Sequence, residues 1–536
     1  MISKLFSKQF SLFFNEIRRI NKPVVAFLTL LVASPQAVQL DNWRFPYYQE
    51  GVLSGNERGS PSGMFWDDIG ATSALSPILR PDSARFKSDH WILEPQFSYQ
   101  AQTPDTLFID STGGAEHYVN DRKQAQRSQV RGSHFYGQLL NDIRYKRILL
   151  LQVLDVDSRN SDDVDYHGKT DRLAAGRIVE AYCRLDWKYG FFRFGRLNRN
   201  WGPFPDRSLL VSSNTQSYDA MEFQLFSSFF EFRHLFAAFP HDRSSIDAVG
   251  YSYDRYLAAH SLNIMFAGLG TVGIMETMLF SRGSGLPDFQ LVNPFSLYTV
   301  INTNGEGAGN LMWGVQWDLH PDIIRKLCVK GQVIIDDFQV DNKTPMDQEP
   351  THWGTDMGVY LADILPINFK HFFSLEYRYL SRWLYTVDPQ NTAQGERYSY
   401  LGRSIGEPTN EGDRINFSFF MAAKNFWTAS AGVSFARQGE NSLWSMWKNF
   451  SKDSLIAPDA LGYRSEPAFP SGIVERTLDM YIDARAYWKN FADIRLRMDN
   501  RWITNKNNVS SAGATYDPMV SFTLSLHYGN FFVPLL

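Results

Sequence analysis

The sequence predicts an all-β fold: a transmembrane antiparallel β-barrel of about eighteen strands, preceded by a short periplasmic N-terminal segment. Three observations carry this reading. Apolar and polar residues alternate with a period of two in stretch after stretch of roughly ten residues, as strands with one face on lipid and one on water must. Tight turns and long polar loops take turns as connections, the rhythm of a barrel whose hairpins close on one side only. Aromatic residues make up 15% of the chain, with 41 Phe, 25 Tyr and 14 Trp, the supply that a lipid-facing wall with two interfacial girdles needs.

The clearest alternation lies near the C-terminus. Leu478, Met480, Ile482, Ala484, Ala486 and Trp488 interleave with Asp479, Tyr481, Asp483, Arg485, Tyr487 and Lys489, and after a turn at Asn490 the pattern returns, with Ile494, Leu496 and Met498 between Asp493, Arg495, Arg497 and Asp499. One row suits lipid and the other a polar interior. The same pattern places strands near 90–100, 134–145, 146–156, 177–188, 190–196, 221–227, 229–239, 260–268, 271–280, 312–319, 329–339, 354–363, 367–379, 414–423, 426–437, 477–489, 490–503 and 516–528. An even count returns both ends of the chain to the periplasm. The last strand turns Val520, Phe522, Leu524, Leu526 and Tyr528 outward, and the chain then ends on Val-Pro-Leu-Leu536 rather than on the aromatic usual in barrels.

Short turns such as Trp187–Gly190, Ser227–Ser228, Gly268–Gly270 and Lys424–Asn425 belong on the periplasmic side. The long connections, near 101–133, 157–176, 197–220, 240–259, 281–311, 340–353, 380–413, 438–476 and 504–515, then face outward, and recognition is expected there.

Composition excludes several classes. The hydrophobic fraction is 44%, and no run of eighteen apolar residues follows residue 45, so a helical membrane bundle is excluded. A net charge of −4 over 536 residues leaves no basic excess for a nucleic-acid partner. Residues 1–39 read as an export signal: Lys4, Lys8, Arg18, Arg19 and Lys22 precede the apolar run from Pro23 to Ala33. Residues 40–89, rich in Gly, Ser and Pro, read as a periplasmic lead-in with short helices near Asp67–Ser76, and residues 90–536 as the barrel. The expected location is the outer membrane, with its lipid as a partner. The two cysteines, Cys183 and Cys328, fall on distant strands and suggest no disulfide framework.

The run from Tyr182 to Arg196, ending Phe-Gly-Arg, leads into Asn200-Trp-Gly-Pro203 and Ser208-Leu-Leu-Val-Ser-Ser-Asn214. Arg255 to His260, Gly273 to Glu276, Asn293-Pro294, Asn310 with Trp313, Ile335-Asp-Asp-Phe338, and Glu376-Tyr-Arg378 with Arg382 follow in order. In this order and spacing the segments resemble the Wzi-type capsule assembly family from about residue 90 to the C-terminus. The sequence departs from that pattern at Phe204 and at Gly406-Glu-Pro-Thr409. The resemblance implies an eighteen-stranded outer-membrane barrel with a lectin-like role, binding capsular or other surface polysaccharide beside an export machinery.

Glycan recognition needs flat rings for sugar C–H faces and planar polar groups for hydroxyls and carboxylates. The candidate residues are Arg196, Arg199, Trp201, Asn214, Tyr218, Arg382, Trp383, Tyr398, Trp444 and Trp447, in loops that also carry Arg207, Trp353, Tyr385, Tyr400 and Arg403. The competing use of these rings is a girdle or loop packing. Inner-face charges such as Glu376 with Arg378 and Asp493 with Arg495 suit a self-satisfied ladder better than a substrate track.

Asp336 and Asp337 are adjacent, so on a strand they cannot form a glycosidase pair. His260 and Glu276 are the candidates for general-base chemistry in a membrane hydrolase, but no Ser stands in a nucleophile motif, and zinc spacing, a Walker loop and a dinucleotide fingerprint are absent. The expectation is a non-enzymatic barrel without cofactor or metal. A solute channel and an outer-membrane hydrolase are the rival readings.

Overall fold

The computed structural model describes residues 90–102, 132–158, 169, 175–204, 207–239, 254–282, 287–304, 309–321, 324, 326–337, 351–386, 396–401, 403–423, 427–443, 469–488, 492–527 and 531–534. The export signal, the lead-in with its short helices, the turns at Lys424–Asn425 and Asn490, and Trp444 and Trp447 lie outside the described residues.

The strands are β1 (His90–Gln102), β2 (Gly132–Tyr145), β3 (Ile148–Asp157), β4 (Ala175–Trp187), β5 (Gly190–Leu197), β6 (Tyr218–Phe226), β7 (Phe230–Phe239), β8 (Asp254–Phe266), β9 (Gly270–Arg282), β10 (Asn310–Leu319), β11 (Leu327–Asp337), β12 (His352–Ala362) and β13 (Lys370–Leu380). A small hairpin, β14 (Ser399–Tyr400) and β15 (Arg403–Ser404), interrupts them. Then follow β16 (Gly412–Ala423), β17 (Trp427–Gln438), β18 (Glu475–Trp488), β19 (Ala492–Thr504), β20 (Ala514–His527) and β21 (Phe531–Pro534).

Each wall strand pairs antiparallel with the next, and both β20 and β21 pair with β1. β20 and β21 therefore act as one interrupted closing strand, and the wall is a closed antiparallel barrel of eighteen strands. Closure removes every edge, so the backbone can pair fully without water.

The predicted alternation is the wall's own construction. On β18, Met480, Ile482 and Trp488 are exposed, as are Ile494, Leu496 and Met498 on β19. The same outward row holds Phe192 and Phe194 on β5, Trp313 and Val315 on β10, and Met357, Val359 and Leu361 on β12. Apolar side chains left open around a closed barrel are what a bilayer covers. The protein is an outer-membrane β-barrel.

Between those residues the inward row is charged and paired. Arg485 donates to Asp493 at 2.7 Å and Arg495 to Asp483 at 2.9 Å. Arg501 meets Asp517 at 2.8 Å, and Arg144 and Arg184 share Asp186. The ladder was legible, but its partners differ from those read in sequence. Arg495 bonds across to β18 rather than to Asp493, and Arg378 pairs with Glu407 in the loop after β13 rather than with Glu376. A cross-strand register, which sequence does not display, selects the neighbour.

The connection between β9 and β10 does something a loop reading does not anticipate. It forms two short helices, α1 (Phe289–Val292) and α2 (Tyr298–Thr303), which lie against the outer wall. Leu291, Tyr298 and Ile301 join Phe236, Ala258, Met278 and Phe280 in an apolar cluster. Beneath this strap, His260 Nε2 meets Glu276 at 2.8 Å, and the backbone N–H groups of Tyr298 and Thr299 donate to the same carboxylate at 3.1 and 2.6 Å. The His260–Glu276 pair is thus on the outward face of β8 and β9, sealed by the strap rather than open to the lumen.

Candidate functional site at the outer mouth

At the end of the barrel where the long connections gather, two of them turn inward. The first runs from Asn198 to Ser217, between β5 and β6. Leu209, Leu210 and Val211 carry apolar side chains that have no place on an outer surface, and all three are fully buried. Trp201 donates its backbone N–H to Val211 at 2.7 Å, so the segment pairs with itself as it enters the lumen. Leu209 N–H then reaches the side-chain oxygen of Gln332 on β11, at 2.7 Å.

Ion pairs fix this segment at both walls. Arg199 donates to Glu180 on β4 at 2.6 Å and to Glu222 on β6 at 3.0 Å. On the far side Arg207 donates to Asp356 on β12 at 2.6 Å and to Glu376 on β13 at 3.0 Å. The segment therefore bridges the barrel from β4 and β6 to β12 and β13. The wall makes room where it arrives: an added Cβ on Gly314 would meet Leu210 Cδ1 at 2.8 Å, and one on Gly358 would meet Phe204 at 3.1 Å.

The second inward connection runs from Ser381 to Glu411 and lies over the first. Tyr385 OH donates to the carbonyl of Leu209 at 2.7 Å, and Ser212 N–H donates to the carbonyl of Ile405 at 2.8 Å. Tyr385 and Tyr398 stack at 5.7 Å, and Tyr400 stacks on Phe239 of the wall at 4.5 Å. Asp336, at a bulge where β11 slips register against β12, accepts the backbone N–H of Tyr385 at 2.8 Å. Together the two segments form an aromatic plug.

This plug sorts the candidate residues. Arg199, Trp201, Tyr218 and Tyr398 are at or below 1% exposure. Their role as open glycan contacts is corrected to one inside the plug, where burial of the rings and the double ion pair of Arg199 hold the loops down. Arg196 stands at the end of β5 on the outward row of Phe192 and Phe194, where it meets Asp219 of β6 at 3.3 Å. That is the outer wall rather than the mouth. Asn214 is half-buried and donates to the carbonyl of Ser404 at 3.0 Å, tying the plug segments together.

Arg382 and Trp383 remain at the mouth, both half-buried. The guanidinium of Arg382 lies over the Trp383 ring at 4.7 Å and 3.6 Å from the carboxylate of Glu411. Glu411 also accepts the backbone N–H groups of Asn441 at 2.8 Å and of Ser471 at 3.0 Å, both from the connection between β17 and β18, so two outer loops converge under Arg382. A ring with a cation on one face and a loop edge beside it can take a sugar's C–H face and its hydroxyls. Trp353, read as a loop ring, instead sits on β12 in a chain of rings with Tyr379 and Phe469, each contact 4.6 Å, as a girdle.

Sequence reasoning missed Glu180, Glu222, Asp356 and Gln332 as the anchors of the plug. Their positions on the inward row were visible, but not that a loop descends to meet them. Nearby, Glu396 is half-buried beside Arg255 and Arg282, and partial burial pushes its carboxyl up to about 7 although both cations oppose the shift.

The sequence matches no protein-family model, and no curated protein is significantly similar to it. Among solved structures it is similar to Wzi, an outer membrane protein involved in group 1 capsule assembly in Escherichia coli and described as a carbohydrate-binding β-barrel. The TM-score is 0.55 at 11% identity, over 92% of this chain and 98% of that one. OccAB1 of Acinetobacter baumannii matches with a TM-score of 0.42 and 8% identity, over 82% of this chain and 97% of the other. OprD from Pseudomonas aeruginosa gives 0.39 and 8%, over 89% and 97%. At such identities the likeness is one of fold.

Proposed function

We propose that this outer-membrane barrel is a non-enzymatic, lectin-like protein whose outer mouth binds capsular or other surface polysaccharide and helps hold it at the cell surface. The observation that carries the reading is the plug. A segment bridging the lumen, locked at both walls by Arg199 and Arg207, gives the outer face a rigid floor on which long loops are displayed, whereas a solute channel needs an open path. The chemistry above the floor, with Arg382 over Trp383, suits a glycan, and an acidic sugar most, since arginine pairs carboxylates bidentately. Likeness to a barrel described as carbohydrate-binding supports the same reading, and export machinery is the natural source of the glycan.

Binding of the folded, detergent-solubilised protein to an array of bacterial surface glycans tests the proposal. Saturable binding to one polysaccharide class, lost in Arg382→Ala/Trp383→Ala, is expected. Steady single-channel conductance in planar bilayers with no glycan bound would favour a channel. Turnover of a glycan or phospholipid, abolished by His260→Ala or Glu276→Gln, would favour a hydrolase.

A further inference from the structure

At the opposite end of the lumen, the turn joining β10 to β11 gathers three side chains of different chemistry. Asp318 is the last inward residue of β10, His320 lies just beyond the strand end, and Cys328 is the first inward residue of β11. Asp318 Oδ1 is 2.7 Å from His320 Nε2 and 3.4 Å from Cys328 Sγ, and Sγ is 3.8 Å from His320 Nε2. All three ligand atoms lie within 4.8 Å of one another. We propose that Asp318, His320 and Cys328 form a zinc site at the periplasmic mouth of the barrel.

Oxygen, nitrogen and sulfur donors in one triangle are a set that zinc accepts and that magnesium and calcium, which take oxygen, do not. A tetrahedral ion with bonds of about 2.0–2.3 Å would set the triangle's edges at roughly 3.3–3.6 Å. Two observed edges lie within a few tenths of an ångström of that range, and the third opens when the ion replaces the hydrogen bond between His320 and Asp318. Binding converts the Cys328 thiol to a thiolate, with its proton released to solvent, and uses His320 as neutral imidazole through Nε2. Lys330, paired across the strands with Asp318, sits 3.3 Å from the other carboxylate oxygen and holds Oδ1 toward the triangle. His320, at 19% side-chain exposure beside two buried partners, marks the side from which an ion enters and where water completes the fourth position.

The structural alternative is a hydrogen-bonded cluster that never takes a metal. A Cys183→Ser background leaves Cys328 as the single thiol, because the chain has only two cysteines. The folded barrel, stripped with chelator and titrated with Co²⁺, is expected to bind one ion per chain and to develop the near-ultraviolet band of thiolate coordination. Zinc should displace the cobalt and erase the band. His320→Ala should weaken binding by at least about a hundredfold, beyond the loss that a supporting partner gives, while the barrel keeps its heat-modifiable gel mobility. Failure to bind stoichiometric metal, or bound cobalt without the thiolate band, would overturn the site, and the band in the Cys183→Ser barrel decides the matter even if His320→Ala misfolds.

Discussion

The hydroxyl of Tyr398 donates to the backbone carbonyl of Leu210 at 3.0 Å, joining positions 188 residues apart in the chain. The same hydroxyl is also hydrogen-bonded to Thr277 Oγ1 on the wall at 3.2 Å, so one phenol locks both plug segments to the barrel.

Trp201→Ala empties a fully buried site and should cost about 3–5 kcal/mol of plug docking, with little effect on the wall. Limited proteolysis should then cut within 198–217 while heat-modifiable mobility is retained. An unchanged cleavage pattern would show that Trp201 does not hold the plug.

Arg207→Ala leaves Asp356 and Glu376 facing each other without their shared cation. Breaking a buried pair in this way costs on the order of 3–5 kcal/mol. The expected result is flickering conductance from the variant in planar bilayers and none from the parent protein, and identical traces from the two would show that Arg207 does not hold the plug in the lumen.

Trp383→Ala should weaken glycan binding by about fivefold to thirtyfold, the loss of roughly 1–2 kcal/mol from a partly desolvated ring and its cation. Arg196→Ala, on the outer wall, should leave that affinity unchanged. Isothermal titration with the array-selected polysaccharide distinguishes them, and equal losses from both would contradict the placement of the site.

Burial raises the Glu396 carboxyl to about 7. A pKa raised on folding means that its contribution is fully favourable below the unfolded value, near 4.5, and is lost as pH climbs through 7. Hydrogen exchange at Tyr398–Tyr400 should therefore reveal weaker loop protection at pH 8 than at pH 5, after correction for intrinsic rates. Glu396→Gln should flatten that difference, and a slope that survives the substitution would exclude Glu396 as its source.

The strands were legible because their signal is local: every other residue reports the face it occupies. Each of the eighteen predicted segments overlaps a wall strand. The largest displacement is β8, predicted from residue 260 but starting at Asp254. There Arg255 faces the plug, donating to the carbonyls of Arg397 and Ser399, both at 2.7 Å, while Ala258 and Ala259 are both buried, so polarity no longer marks the faces. The mouth was legible only as a composition. Trp201 and Trp383 are the same residue in loops of the same kind. What separates them is a tertiary fact, the descent of one loop into the lumen, and no period in the sequence encodes it. Helices α1 and α2 escaped for a related reason: six residues at most carry too little pattern to register.

The strap formed by those helices bears on how the wall meets lipid. A histidine and a glutamate on adjoining outward positions cannot enter hydrocarbon uncovered without a heavy penalty. The hairpin of β8 and β9 is therefore unfit for lipid until Tyr298 and Thr299 have closed over it. The strap is therefore a working part of the lipid-facing wall, and an outward loop rather than a strand makes that stretch of the barrel compatible with hydrocarbon.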